Sequence, residues 1–347
     1  MWKFIAVIVA VVVIVGTGYA VYYYTQSQTP TYNAESKLVI YSSVDATSMQ
    51  SSLNVFKSKY PTIDVDYEEM IPPAGFTRIT SEVAANKSTA DVSLITNSIT
   101  IQLQTGGHLA SYNSTERGAY PDNYKNARGF WTAAVLLPTV FSYNTQLLNK
   151  SSLPTTLSAL TSPQWKGKVI MHDVTVGSTG TQYMLSLVPI LGNQTWTNFV
   201  KDLAANVHPT LTGDLGAVSN NVASGQYQIG IIAYLHDVLR LKSQGAPIDW
   251  FLPSGVPLLT VPSSVAMLKA AEHPNAAKLF IDFILSMAGQ QTLGNAVVRI
   301  PARPNVGATY SLENVGHGEQ VVFYPASSVV AQAKTWAAKF KQMGFGS

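Results

Sequence analysis

Between Lys37 and Thr96 short apolar runs alternate with helix-forming stretches, and that alternation restricts the fold more than any other feature of the sequence. Lys37 to Ser42 (KLVIYS) reads as a buried strand. Asp45 follows as a helix N-cap, and Met49, Leu53, Phe56 and Tyr60 then share one helical face. Ile63 to Tyr67 alternates apolar and polar as a half-buried strand does, Gly75 to Ala85 predicts a helix, and Asp91 to Thr96 (DVSLIT) predicts the next strand. Strand, helix, strand, helix, strand implies an α/β fold, a parallel sheet with helices on both faces. Such sheets bind ligands beyond the carboxyl ends of their strands, which picks out Ser42, Ser43, Thr96, Asn97 and Ser98. Serine and aspartate at such turns also serve as plain helix caps.

Phe130 to Tyr143 (FWTAAVLLPTVFSY) is a long extended run with Pro138 in its middle. Proline is poorly tolerated inside a central strand, so the run is expected to cross from one half of the molecule to the other. Lys168 to His172 (KVIMH) predicts a strand, and a helix is expected from Thr181 to Leu191. Between them, Gly177, Ser178, Thr179 and Gly180 put small residues and free backbone N–H groups at a helix start. That arrangement suits an anion without any basic side chain, and it suits an ordinary capped helix equally well. Further helices are expected at Trp196 to Ala205 and Leu215 to Ser224.

Gly230 to Tyr234 predicts a strand, His236 to Gln244 a helix stopped at Gly245, and Ile248 to Leu252 a strand. After Pro253, Gly255 and Pro257, Ser264 to Leu268 reads as another strand. Pro274 opens a helix whose apolar stripe is Ala276, Leu279, Phe280, Phe283, Ile284 and Met287. Ser327 to Met343 closes the chain as an amphipathic helix.

The run SSVAMLKAAEHPNAAKLFIDFILSMAGQQ closely resembles the segment with which extracellular solute-binding proteins of ABC importers return to their first lobe. The resemblance implies the type II periplasmic-binding-protein fold, with two lobes closing on a solute. It is nearest the ferric-iron-binding branch, among the family 1 solute-binding proteins, whose relatives also take phosphonates and sugar phosphates. It places residues 36–130 and 261–304 in lobe 1, and 131–260 with 305–347 in lobe 2. YSSVD is similar to the family's first ligand loop and ITNS to its second, while Gly177 to Thr181 matches the position that holds an anion in relatives. Iron binders carry adjacent tyrosines after the strand matching Gly230 to Ala233. Here the residues are Tyr234-Leu235-His236-Asp237, which puts ferric specificity in doubt. Tyr234, His236 and Asp237 are the candidate metal ligands, and a metal ion with a companion anion is the candidate cargo. A phosphonate, phosphate ester or other small organic solute is the alternative, and a sensor outside transport is another. Neighbouring helical residues point about 100° apart, so His236 and Asp237 are not expected to serve one ligand together. An ABC permease is the implied partner.

The chain's 347 residues are 46% hydrophobic and 12% charged, with a formal charge of +3 and no basic run, so nothing favours nucleic acid. Cysteine is absent, which removes disulfides, thiolate metal sites and cysteine catalysis. No HExxH, GxSxG or P-loop occurs, so the expectation is a binding protein and not an enzyme. Phe4 to Tyr24 carries no charge and is long enough to cross a bilayer. Residues 1–25 are read as a transmembrane anchor with the folded part outside, and residues 26–35 as a linker. A cleaved signal peptide is the rival, since Gly18-Tyr19-Ala20 suits a signal peptidase. Asn86, Asn113, Asn149 and Asn193 head glycosylation sequons that fit an outside location. The low charge with many Tyr, Ser and Thr resembles secreted proteins of acid-living archaea, because carboxylates protonated outside the cell cannot hold a fold together.

Overall fold

The computed structural model describes residues 33–346 apart from 88, 297, 317, 325 and 326. The expected anchor and the linker as far as residue 32 lie outside the described residues. Among the described residues no helix is long and apolar enough to cross a membrane.

The opening alternation folds as read. β1 (Lys37–Ser42), α1 (Ala46–Lys59), β2 (Asp64–Glu69), α2 (Pro72–Ala84) and β3 (Val92–Thr96) follow in order, with β1 parallel to both β2 and β3. Asp45 caps α1 by accepting from the Ser48 N–H at 2.8 Å, and α1 turns Met49, Leu53 and Phe56 into the core. α3 (Asn97–Thr105) starts directly from the end of β3, and β4 (Leu109–Ala110) follows it.

Two long strands carry the chain between halves. β5 (Thr132–Asn144) is buried along its whole length. It pairs antiparallel with β10 (Leu258–Leu268) as far as Pro138 opposite Thr260. From Thr139 onward it pairs instead with β8 (Ile229–Tyr234), and from Phe141 also with β9 (Ile248–Phe251). The partner changes at the residue that has no N–H to give, which is the physical reason the crossing lies there. β10 makes the return, with Ser263 to Met267 antiparallel to β3. This strand is longer than the expected Ser264 to Leu268. Leu258 to Leu268 is buried throughout, and the strand runs through Pro262, which sits opposite Leu136.

Beyond the crossing, β6 (Val169–His172) is parallel to β7 (Thr210–Thr212) and to β8. The strands therefore run β2-β1-β3-β10-β5-β8-β6-β7 across the molecule. The short strands β11 (Ile300–Pro301) and β12 (Val321–Phe323) join at β5 and β10. The expected helix from Thr181 to Leu191 divides into α4 (Thr179–Ser186) and a separate turn at Val188–Leu191, because Pro189 suits the first turn of a new helix and not the middle of an old one. α5 (Asn193–Asp202) and α6 (Leu215–Ala223) complete this half with α7 (Leu235–Ser243).

α8 (Pro274–Leu285) buries Ala276, Leu279, Phe280, Phe283 and Ile284 as its stripe predicts. Met287 does not join them and is 40% exposed. Ser286 is extended and accepts from the Gly289 N–H at 3.2 Å, so it ends α8 and starts α9 (Met287–Ala296). In α10 (Ser327–Gln342), Trp336 meets Trp196 of α5 edge to face at 5.1 Å. The four sequon asparagines, Asn86, Asn113, Asn149 and Asn193, are all exposed.

Candidate functional site

β8 runs into α7 without a loop, and Tyr234 is the junction, capping the helix. The strand reaches that junction through a bulge. Its register against β5 shifts between Val140 and Ser142, and Ile232 takes a φ of +65°. A β-branched residue held in the left-handed region stores strain of about 1–3 kcal/mol, and bulges re-aim the side chains beyond them. Ile232 is fully buried all the same. Just past the bulge two rings stack: those of Tyr234 and His236 lie 5.2 Å apart with their planes 26° from parallel.

His236 and Asp237 both line one cavity of about 500 Å³, with His236 Nε2 lying 3.8 Å from Asp237 Oδ2. Both neighbours thus reach one cavity, although side chains adjacent on a helix point about 100° apart. They occupy the first turn of α7, where the cavity passes over the helix end and both side chains reach it. Arg240, one turn on, also lines the cavity and pairs with Asp237 at 3.3 Å. The opposite wall comes from the other half of the molecule and includes Asp45, Ser48, Asn295 and Arg299. The cavity therefore lies between the two halves.

Arg299 and Asp45 are ion-paired across this wall, and Arg299 Nε also donates to Ser48 Oγ at 3.2 Å. Burial pushes the Asp45 carboxyl up, but the Ser48 hydrogen bonds and the Arg299 guanidinium outweigh it and leave the group below its ordinary value. Burial also dominates at Asp237 and raises it, against the pull of Arg240 and Arg299. His236 is held well below its ordinary range by burial first and then by Arg299, with Asp45 opposing and Arg240 adding. Asp237 Oδ2 lies 3.8 Å from the same ring, so two guanidiniums and two carboxylates surround the imidazole. His236 Nδ1 is buried and has no hydrogen-bond partner among the described residues.

The expected anion turn reaches this region by one residue. Tyr234 is half-buried, and its phenol lies near the Thr179 side chain. Burial pushes that phenol up to about 12, Thr179 and Arg299 pull it down, and Asp237 opposes them. Gly177 takes a φ of +73°, and its N–H donates to Thr181 Oγ1 at 3.0 Å. A Cβ on Gly180 would lie 2.5 Å from the Asp173 carbonyl oxygen, so only glycine lets α4 sit this close to the end of β6. The Ser178 side chain caps nothing, and its hydroxyl is 3.5 Å from His172 Nε2.

The other expected positions are engaged in the fold. Ser42 is fully buried, its hydroxyl donating to the Leu94 carbonyl and accepting from the Val44 N–H, which makes it a turn cap. The Ser43 N–H donates to the Leu94 carbonyl, and Asn97 Oδ1 accepts from Ser264 Oγ at 3.0 Å. Ser98 lies in the first turn of α3, where its carbonyl accepts from Gln102 Nε2. Among the described residues no three His, Asp or Glu side chains gather as a group that could hold a metal ion. Sequence reasoning missed Arg240 and Arg299, and took Asp45 as a cap at the end of the YSSVD loop. The available signal for Arg299 was a lone cation in the apolar run Val297-Val298-Arg299-Ile300 of a sparsely charged chain.

A sequence profile of the bacterial extracellular solute-binding proteins matches residues 88–319 of this chain. The Fe(3+)-binding periplasmic protein of Serratia marcescens is 24% identical over 212 residues, 59% of this chain and 62% of that protein, so the chain matches less than two thirds of its length. The substrate binding protein of an ABC transporter from Agrobacterium tumefaciens superposes with a TM-score of 0.75 at 19% identity, covering 91% of this chain and 96% of that one. Iron-bound HitA from Pseudomonas aeruginosa gives a TM-score of 0.73 at 20% identity over 90% of this chain and 100% of HitA. The two structures share with this chain the two-lobed α/β fold of periplasmic binding proteins.

Proposed function

Because the chain belongs to the family of bacterial extracellular solute-binding proteins, we propose that it is the capture subunit of an ABC importer and takes a small anionic solute into the cleft between its two lobes. The observation that carries this reading is the arrangement around His236. One lobe brings Arg299 and Asp45 to the cavity, and the other brings Arg240, Asp237 and a buried imidazole whose Nδ1 has no partner among the described residues. A desolvated anion finds in such a place two fork-shaped donors and a hydrogen-bonding ring. Each lobe supplies part of the contacts, so the bound solute favours the closed arrangement. The uncharged run at 4–24 serves in this proposal as a membrane anchor that keeps the receptor beside its permease.

The test is a thermal-shift panel of the purified protein against inorganic phosphate, phosphate esters, phosphonates, and metal salts with and without a companion anion. A solute present at about 100 times its Kd adds about 2.7 kcal/mol and moves the midpoint by several degrees. A shift with anions alone that is lost in Arg299→Ala supports the proposal. A shift that needs metal and survives Arg299→Ala overturns it.

The stacked Tyr234 and His236 favour a second reading, a metal ion carried with its companion anion. A phenol near 12 must lose its proton to ligate, which a ferric ion brings about by coordination. That complex has a phenolate charge-transfer band in the visible, absent in Tyr234→Phe.

A further inference from the structure

The cleft cavity has a neighbour. A second cavity, of about 360 Å³, has Ser243 and Tyr310 in its wall, and the same two residues line the first. Past that shared wall the chemistry changes. Tyr143 of β5 and Trp250 of β9 line it, each only 5% exposed, and Tyr310 is half-buried. Lys150 and Lys242 stand at its edge, with Lys242 paired to Asp249 at 2.8 Å. Aromatic rings beside cations and one carboxylate thus adjoin a chamber dominated by guanidiniums and carboxylates.

Size narrows the choice of occupant. An ion with a small companion anion fills a few water volumes of about 30 Å³ each. The first cavity alone is about 500 Å³, and the second adjoins it at Ser243 and Tyr310. Sites for organic ligands run roughly 300–1,000 Å³ and join an apolar wall to a few placed polar groups. We infer, on the reading of the cleft as an anion receptor, that the solute is an organic anion bearing a ring. Its charged end lies between Arg240, Arg299 and His236, and its ring passes Ser243 to lie against Tyr143, Trp250 and Tyr310. Rings meet other rings in offset or edge-on contact, and three aromatic residues in one wall offer a ring such partners.

Calorimetric titration with methyl phosphate and phenyl phosphate tests this on the unmodified protein, since the two esters differ by the ring alone. Phenyl phosphate is expected to bind about tenfold more tightly, the factor that about 1.4 kcal/mol represents. Asn314→Trp, a bulky side chain at an exposed position on the wall of the second cavity, is expected to bring the two esters within about twofold of each other. Equal affinities in the unmodified protein overturn the inference and leave the anion receptor standing. A ring preference that survives Asn314→Trp overturns the placement of the ring in this chamber. Binding of neither ester overturns both the inference and the reading beneath it.

Discussion

The guanidinium of Arg299 holds the carboxylate of Asp45, the residue that caps α1, from 254 positions further along the chain. The pair ties the start of the first helix to the end of α9 and places a cation at the cleft. Replacing Arg299 by Ala leaves Asp45 with its Ser48 bonds only. Charge-assisted hydrogen bonds contribute about 1.5–3 kcal/mol each, and this partly exposed pair belongs near the lower end. Urea denaturation is expected to show a loss of about 1–2 kcal/mol, and Arg299→Lys recovers part of it without restoring the fork.

His172 and His236 give the stability a pH dependence. Burial holds both below the ordinary value of 6.5, so the unfolded chain takes up protons that the folded chain refuses. Their contribution is fully present above about pH 6.5 and declines as the pH falls below it toward their folded values. Asp237 and Asp282 run the other way, since burial raises both and their protonation relieves the folded state. Denaturation curves at pH 7 and pH 5 isolate the histidine effect through His236→Gln. The stability lost between the two pH values is expected to be smaller in the variant than in the unmodified protein. A measured stability optimum near neutral pH would count against the acid-adapted reading of the composition.

Ile231 and Ile232 are equally buried neighbours, yet only Ile232 has a positive φ. Glycine at either position forfeits the same buried side chain. At 232 it also releases the left-handed strain. Ile232→Gly is therefore expected to cost less than Ile231→Gly by about 1–3 kcal/mol, measured as the difference between their urea midpoints at a common slope.

Gly180→Ala places a Cβ against the Asp173 carbonyl at 2.5 Å. That contact is with backbone and does not give way, so α4 shifts and takes Thr179 away from Tyr234. A destabilisation of about 1–3 kcal/mol is expected, together with a small change in the ultraviolet spectrum of tyrosine that Tyr234→Phe abolishes.

The fold was legible wherever pattern and burial agree. KLVIYS, DVSLIT and the stripe of α8 sit where periodicity puts them, because one apolar face leaves a segment a single way to pack. Pro138 announced a crossing for the same reason, through what it cannot donate. β10 was read short because its expected start was placed at Ser264, although the strand begins directly after Pro257 and runs through Pro262. The candidate site was half legible. His236 and Asp237 lie at a strand end, where an α/β sheet exposes its loops. Arg299 reaches the cavity only through a pairing with Asp45 that spans most of the chain, and no local pattern encodes such a distance. Ser42 carried the right type and position for a ligand, and its hydroxyl is engaged by the Leu94 carbonyl of β3 and the Val44 N–H.

Pro138 in β5 and Pro262 in β10 face each other's strands within two rungs of the ladder, opposite Thr260 and Leu136. Neither can supply an N–H, so the fabric joining the halves is perforated along one line. In the proposed receptor this line, where β5 and β10 cross between the halves, is the place about which a solute would close them.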